Sequence, residues 1–273
     1  MTSREAITAA REVLVRAGID EPDAKIRVIA AHVLGGNLTA LGGQTLTQAQ
    51  RDTIEAMVHR CAAGEPVEYV TGKAYFRYAV LNVTPDVLIP RNETELVAEE
   101  AIDLIRANGY ETALDMCTGS GCIAVSLATE TDVAVDACDL SHRAILLARY
   151  NAASNDADIR FFYSDMFGNI DGTYDIIVSN PPYVSDAEYA ALDESVRLHE
   201  PKGALAAGDG LAFYRIIAQE AMAHINSGGA LVLEIGATQA ADVKKLLEDA
   251  GFTCVTHKKD YAGRDRIVVA RKG

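Results

Sequence analysis

The chain has 273 residues, 49% of them hydrophobic, and carries a formal net charge of −14 with a pI near 4.8. That length suits one α/β domain plus a smaller one. The acidity argues against non-specific grip on nucleic acid, which needs a basic stripe to displace counterions, and favours a protein or small-molecule substrate. No stretch reaches the ~18 uninterrupted apolar residues of a membrane span. The start, Met1-Thr2-Ser3-Arg4-Glu5, lacks the basic-then-apolar pattern of a signal peptide. A cytoplasmic location without a membrane partner is expected. Cys61, Cys117, Cys122, Cys138 and Cys254 contain no C-x-x-C pair; reduced thiols, with neither a disulfide framework nor a metal site, are expected.

In chain order, residues 1–65 read as a small helical bundle. Thr2-x-x-Glu5 is a capping box for a first helix with Ile7, Ala10, Leu14 and Ala17 on one face and Gly18 past its end. Pro22 opens a second helix carrying Ile26, Ile29, Ala30 and Val33. Thr47-x-x-Gln50 opens a third, with Ile54, Met57, Val58 and Cys61, ending by Gly64. Residues 66–90 change character. Val67, Tyr69, Val70, Tyr75, Phe76, Tyr78, Val80, Leu81 and Val83 are β-prone, and a linker hairpin is expected with Tyr75, Phe76 and Tyr78 in its core. Pro85 and Pro90 stiffen the approach to a helix over 93–108, which Asn92-x-x-Glu95 caps.

Beyond this point helix and strand patterns alternate. Strands are expected at 112–116, 133–138, 159–163, 174–179, 229–235, 252–258 and 265–271, and helices from about 121 and over 142–154, 211–226 and 238–250. Such alternation specifies a mostly parallel, Rossmann-like sheet of seven strands with helices on both faces. Ligands bind such sheets at the carboxyl ends of the strands.

Four of those strand ends carry chemistry. The first core strand runs into Asp115-Met116-Cys117-Thr118-Gly119-Ser120-Gly121, where glycines let the backbone turn tightly beside a ligand. Asp139 ends the next strand, eighteen residues after Gly121, where an acidic side chain accepts ribose hydroxyls. Gly119-x-Gly121-x-x-Ala124 also satisfies the dinucleotide fingerprint, so a nicotinamide or flavin enzyme is a competing reading. Asp115, however, suits an aminoacyl ammonium better than a pyrophosphate. Asp165, beside Met166 at a third strand end, would accept from an adenine amino group. The strand over 174–179 ends in Asn180-Pro181-Pro182-Tyr183, a rigid corner that cannot continue as strand or helix. Its Asn180 side-chain oxygen and Pro181 carbonyl are acceptors for a planar NH2 group, with Tyr183 as a flat neighbour. Holding both protons of an amide orients its weakly nucleophilic nitrogen. Hydride transfer has no use for that clamp; methyl transfer from S-adenosylmethionine does.

Together these residues resemble the HemK-like methyltransferases over nearly the whole chain. The resemblance runs through Gly64-Glu65-Pro66-Val67-x-Tyr69-Val70-Thr71-Gly72, Leu88-Ile89-Pro90-Arg91-Asn92-Glu93-Thr94-Glu95, Asp115 to Gly121 and Asn180 to Tyr183. Glu200-Pro201, Gly208-Asp209-Gly210-Leu211, Leu233-Glu234-Ile235-Gly236 and Asp260-x-x-Gly263-x-Asp265-Arg266 complete it. It implies a class I methyltransferase domain at 91–273, a helical substrate-recognition domain at 1–65 and a hairpin linker at 66–90. It implies methylation of the glutamine side-chain amide in the Gly-Gly-Gln motif of bacterial class I release factors. By the same resemblance, Cys117, Thr118, Gly119, Ser120 and Gly121 hold the methionine part of the cofactor, Asp139 its ribose, and Asp165 with Met166 its adenine edge. Thr94 would touch the cofactor carboxylate, Asp115 and Asn180 would also meet the cofactor, and Asn180, Pro181, Pro182 and Tyr183 would hold the substrate amide. Cys117, Asn92 and Met166 depart from the Gly, Pro and aromatic residue usual in relatives. A ribosomal-protein glutamine methyltransferase and a nucleobase amino methyltransferase are the enzymatic rivals, and a non-catalytic binding module is the rival of another class. His199 is not expected to act as a base. Gly42-Gly43-Gln44 spells the target tripeptide inside the chain and reads as chance loop composition.

Overall fold

The computed structural model describes residues 1–35 and 43–273. Backbone contacts divide them into two compact units, Met1–Lys73 with Asp193–His199, and Ala74–Leu192 with Glu200–Gly273.

In the first unit, α1 (Ser3–Arg16), α2 (Pro22–Val33) and α3 (Gln48–Ala62) form the bundle, and complete capping boxes open α1 at Thr2 and α3 at Thr47. Leu14, Ile29, Leu46 and Cys61 are buried at its centre. The α1 stripe is Ala6, Ala10 and Leu14; Ala17 falls at the C-cap and is exposed. Gly42 lies outside the described residues, while the Gln44 carbonyl accepts from Ser3 N at 2.8 Å.

The β-prone run after Pro66 is instead a short helix, α4 (Val67–Thr71). Tertiary packing overrides propensity here: Val67, Tyr69, Val70 and Thr71 are all buried, and Gly72 ends the helix in the left-handed conformation. The Arg60 guanidinium takes up the carbonyls of Tyr69 and Val70 at 3.3 and 3.2 Å. The α9 helix (Glu194–His199) clusters with this unit, and its His199 ring sits 3.0 Å from the Ser195 carbonyl.

The hairpin is confined to β1 (Lys73–Phe76) and β2 (Ala79–Asn82). The pleat turns Ala74 and Phe76 inward, so Phe76 is buried but Tyr75 and Tyr78 are exposed, against expectation. Arg77, at φ 50° in the turn, forks onto the Glu130 carboxylate at 2.6 and 2.7 Å. α5 (Asn92–Asn108) has Arg91, not Asn92, as its N-cap, with no side-chain cap. The Glu95 carboxylate that would complete a capping box accepts from Arg77 N at 2.9 Å instead.

The core of the second unit is a seven-stranded sheet ordered β5-β4-β3-β6-β7-β9-β8. Its strands are β3 (Thr112–Met116), β4 (Ala134–Asp139), β5 (Ile159–Tyr163), β6 (Tyr174–Ser179), β7 (Ile225–Glu234), β8 (Thr253–Lys259) and β9 (Asp265–Arg271). Pairing is parallel from β5 through β7, and β9 runs antiparallel to both β7 and β8. Successive residues of the central strands feed opposite faces. Ala113, Ile176, Val178, Ala230 and Val232 pack with α5, α6 (Cys122–Glu130) and α7 (His142–Ser154). Leu114, Ile177, Leu231 and Leu233 pack with α10 (Ala212–His224) and α11 (Ala240–Asp249). Each such fully buried Val, Ile or Leu side chain contributes about 1.5–3 kcal/mol. The short helix α8 (Asp186–Ala191), which the residue pattern did not predict, carries a capping box at Ser185.

The order in which successive strands are added reverses between β3 and β6: β4 and β5 lie on one side, β7 to β9 on the other. Ligands bind α/β sheets at such a switch point. Met116 pairs with both Cys138 and Ser179, so the segments starting at Cys117, Asp139 and Asn180 leave the sheet close together. Among the described residues no helix is long and apolar enough to cross a membrane, and no cluster of three metal-ligating side chains occurs.

Candidate active site

A cavity of about 370 Å³ opens at this switch point, within the size range of small-molecule sites. Its walls include Thr94, Cys117, Thr118, Gly119, Ser120, Asp139, Asp165, Met166, Asn180 and Pro182. Asp115, Gly121, Pro181 and Tyr183 adjoin these residues along the chain and are not part of that lining.

Asp115 is fully buried and braces the first loop: its Oδ2 accepts from Thr118 Oγ1 at 2.6 Å and Ala124 N at 3.1 Å. Burial pushes its carboxyl up to about 7, against the pull of those two donors. Its Oδ1 has no hydrogen-bond partner. Gly121 turns at φ 83°, and a Cβ there would stand 3.1 Å from the Ala148 Cβ, so glycine is needed for both reasons. Gly119 has open space where its side chain would be, and the buried Asn151 holds the loop from below by donating to the Ser120 carbonyl at 2.9 Å.

The Asp139 carboxylate accepts from Gly119 N at 2.9 Å and Ser141 N at 2.8 Å, one bond per oxygen. Each oxygen keeps acceptor capacity for a further donor. Burial raises its pKa, and the backbone donors oppose the rise. Ser164 shapes the third strand end by donating to the Met166 carbonyl at 2.7 Å, leaving Asp165 exposed and Met166 buried. Cys117 and Met166 both adopt left-handed backbone, at φ 62° and 47°, with their sulfurs 4.0 Å apart. For a side-chain-bearing residue that conformation costs about 1–2 kcal/mol, which explains why glycine is at home at position 117. Burial pushes the Cys117 thiol well up and those of Cys122 and Cys138 up to about 12, so the cysteines lining the cavity are neutral thiols.

The fourth strand end is held by distant side chains. Ser179 Oγ donates to the Met116 carbonyl at 2.7 Å, locking β6 to β3 just before the corner. Asn180 Nδ2 donates to Thr94 Oγ1 at 3.1 Å, and Thr94 Oγ1 donates to Glu234 Oε2 at 2.6 Å. Thr94 thus lines the cavity with its hydroxyl proton committed inward. The Tyr183 phenol donates to Glu234 Oε1 at 3.1 Å, and Arg266 Nη1 lies 3.4 Å from that phenol oxygen. Gln239 Nε2 donates to the Tyr183 carbonyl at 2.9 Å and the Gly210 carbonyl at 3.0 Å. Glu200, nearly fully buried, pairs with Arg91 and accepts from Ile89 N at 3.2 Å, which sets the wall before α5. Glu234, Gln239, Arg266 and Glu200 had no role in the sequence reading. The signal for three of them was present as motif membership, Glu234 in Leu233-Glu234-Ile235-Gly236, Arg266 after Asp265, and Glu200 before Pro201.

The methyltransferase small domain family matches residues 100–213, and the PrmC N-terminal domain family matches residues 5–72. The chain is 41% identical to the release factor glutamine methyltransferase of Cereibacter sphaeroides, across 99% of each chain. It belongs to the release factor glutamine methyltransferase family. The Burkholderia pseudomallei member is 40% identical over 97% of this chain and 96% of its own. Among solved structures, a methyltransferase from Pyrococcus furiosus aligns with 71% of this chain and 89% of its own at a TM-score of 0.54; at 20% identity that likeness bears on the fold. Family membership makes S-adenosylmethionine the cofactor and removes the dinucleotide reading of Gly119-x-Gly121.

Proposed function

We propose that this chain methylates the side-chain amide nitrogen of a release-factor glutamine, the one in the Gly-Gly-Gln motif. The observation that carries the reading is the orientation of Asn180, whose NH2 is spent on Thr94 and whose Oδ1 is therefore the atom offered at the cavity. S-adenosylmethionine, when bound, supplies an electrophilic methyl group.

The residues present fit that cofactor: a glycine-containing loop with open space at Gly119, an aspartate with acceptor capacity on both oxygens, and an apolar Met166 wall. Cys117 to Gly121 hold the methionine part, Asp139 accepts from the ribose, and Asp165 with Met166 meets the adenine. Asn180 Oδ1 and the Pro181 carbonyl accept the two amide protons of the glutamine, orient its nitrogen towards the methyl group and stabilise the charge it develops. Pro182 stiffens the corner and Tyr183 fastens it. The methylated nitrogen then loses a proton to water, so the site needs no dedicated base.

The division into a recognition unit at 1–65, a linker at 66–90 and a catalytic domain at 91–273 belongs to the same proposal, as does action on protein in the cytoplasm without nucleic acid or membrane. The net charge of −14 supports a protein substrate over a nucleic acid. The test is incubation with labelled S-adenosylmethionine and a class I release factor beside its Gln→Ala variant. Label on the first alone is the expected result.

A further inference from the structure

We propose that Glu234 is a positioning residue for methyl transfer: its carboxylate takes the protons of Thr94 and Tyr183 together, and through Thr94 it turns the Asn180 carboxamide so that Oδ1 faces the substrate. This rests on the reading of Asn180 as the acceptor for a glutamine amide.

The orientation of Asn180 follows from where the protons go. A threonine hydroxyl has one proton and two lone pairs. The Thr94 proton goes to Glu234 Oε2 at 2.6 Å, because a carboxylate has none to give. Thr94 therefore meets Asn180, 3.1 Å away, with a lone pair, and the carboxamide must present Nδ2 to it. Nδ2 turned inward leaves Oδ1 outward. The second carboxylate oxygen is needed as well. Arg266 Nη1, 3.4 Å from the Tyr183 phenol oxygen, is a donor and cannot receive the phenol proton, which goes to Glu234 Oε1 at 3.1 Å. One buried carboxylate thus fixes both ends of the Asn180–Tyr183 corner.

Glu234 is itself pinned, since its carbonyl accepts from the Tyr214 phenol at 2.8 Å. The charged and titratable groups facing it are Glu93 from α5, Tyr183 from the corner, Tyr214 from α10, Cys122 from α6 and Arg266 from β9. Burial pushes the Glu234 carboxyl up to about 6, and the Thr94 hydroxyl, the buried Arg266 with its unpartnered Nε and the Tyr183 phenol oppose that rise, so the group is a carboxylate at neutral pH. A glutamine at 234 would offer one acceptor oxygen to two protons. Either Tyr183 loses its acceptor, or Thr94 receives an N–H, redirects its proton to Asn180 and reverses the carboxamide.

The test compares wild type with Thr94→Val, Thr94→Ser and Glu234→Gln in single-turnover methylation of a release factor. Cofactor affinity by calorimetry and the Asn180 side-chain amide signals by NMR are read alongside. Thr94→Val and Glu234→Gln are expected to slow transfer about tenfold, the effect of losing one orienting hydrogen bond, with cofactor affinity within about twofold. Thr94→Ser, which keeps the hydroxyl, restores the rate over Thr94→Val. The Asn180 amide proton held by Thr94 is expected to exchange slowly in the wild type and fast in Thr94→Val. The proposal is overturned if Thr94→Val or Glu234→Gln leaves the rate intact, or if Thr94→Val leaves the Asn180 amide protected. If wild type labels no release factor while the Asn180 amide still responds to Thr94→Val, the substrate reading fails and the relay stands.

Discussion

The two halves of the cavity are built by opposite means. At the cofactor end, backbone amides and neighbouring residues do most of the holding: Asp139 reaches Gly119 N and Ser141 N, and Asp115 reaches Thr118 and Ala124. At the substrate end, the Asn180–Tyr183 corner depends on side chains from α5, β7 and β9, with Thr94 86 residues from Asn180 and Glu234 140 from Thr94. A methionine-nucleoside can be met by a fixed loop of main-chain donors. An amide whose two ends differ only in which atom carries protons needs an acceptor whose own orientation is decided elsewhere. The first end is a property of a loop, the second of a tertiary network.

The contrast predicts separable defects. The largest is expected from Asn180→Ala, which should cut single-turnover transfer by about 10²–10³-fold, as loss of one preorganised polar group does, while calorimetric cofactor affinity stays near wild type. A matching loss of cofactor affinity would merge the two halves. Asp139→Ala should do the reverse, weakening cofactor binding about 10- to 100-fold through loss of charge-assisted hydrogen bonds, with transfer at saturating cofactor much less affected. Gly121→Ala puts a side chain at φ 83° and 3.1 Å from the Ala148 Cβ. About 1–3 kcal/mol of folding stability should be lost, measured by denaturant unfolding. A smaller effect concerns pH. The Asp115 carboxyl is raised in the folded state from 3.8 to about 7, so the native protein binds its proton more tightly than the unfolded chain does. The stability it contributes is full below about pH 4 and is lost as pH rises towards 7. Asp115→Asn should flatten that part of the cofactor-free stability profile in thermal scans at a series of pH values. An unchanged slope would show that another group carries it.

The same contrast explains what the residues disclosed. The strands of the main sheet follow from local pattern, although β7 begins at Ile225, earlier than the expected 229, and the structure places the loop at Asp115 to Gly121 and the Asp139 side chain at the carboxyl ends of β3 and β4. The tyrosines of the hairpin were misplaced because propensity says strand without saying which face is covered. Val67–Thr71 reads as strand by propensity but is held as helix by burial and by Arg60, which lies outside the segment. Asn92 and Glu95 have capping-box spacing, yet Arg77 claims the carboxylate. Glu234 and Arg266 could be seen as motif members and Gln239 in no motif, and none of the three as a partner of Tyr183, 51, 83 and 56 residues away. Their roles exist only once β6, β7 and β9 are side by side.

The most direct test of the account is to map by mass spectrometry the methyl group that the intact protein places on a class I release factor. The account predicts one methyl on the glutamine of its Gly-Gly-Gln, absent when Asn180 is replaced by alanine. A release factor left unmodified, with methyl instead on ribosomal protein or RNA, would contradict it.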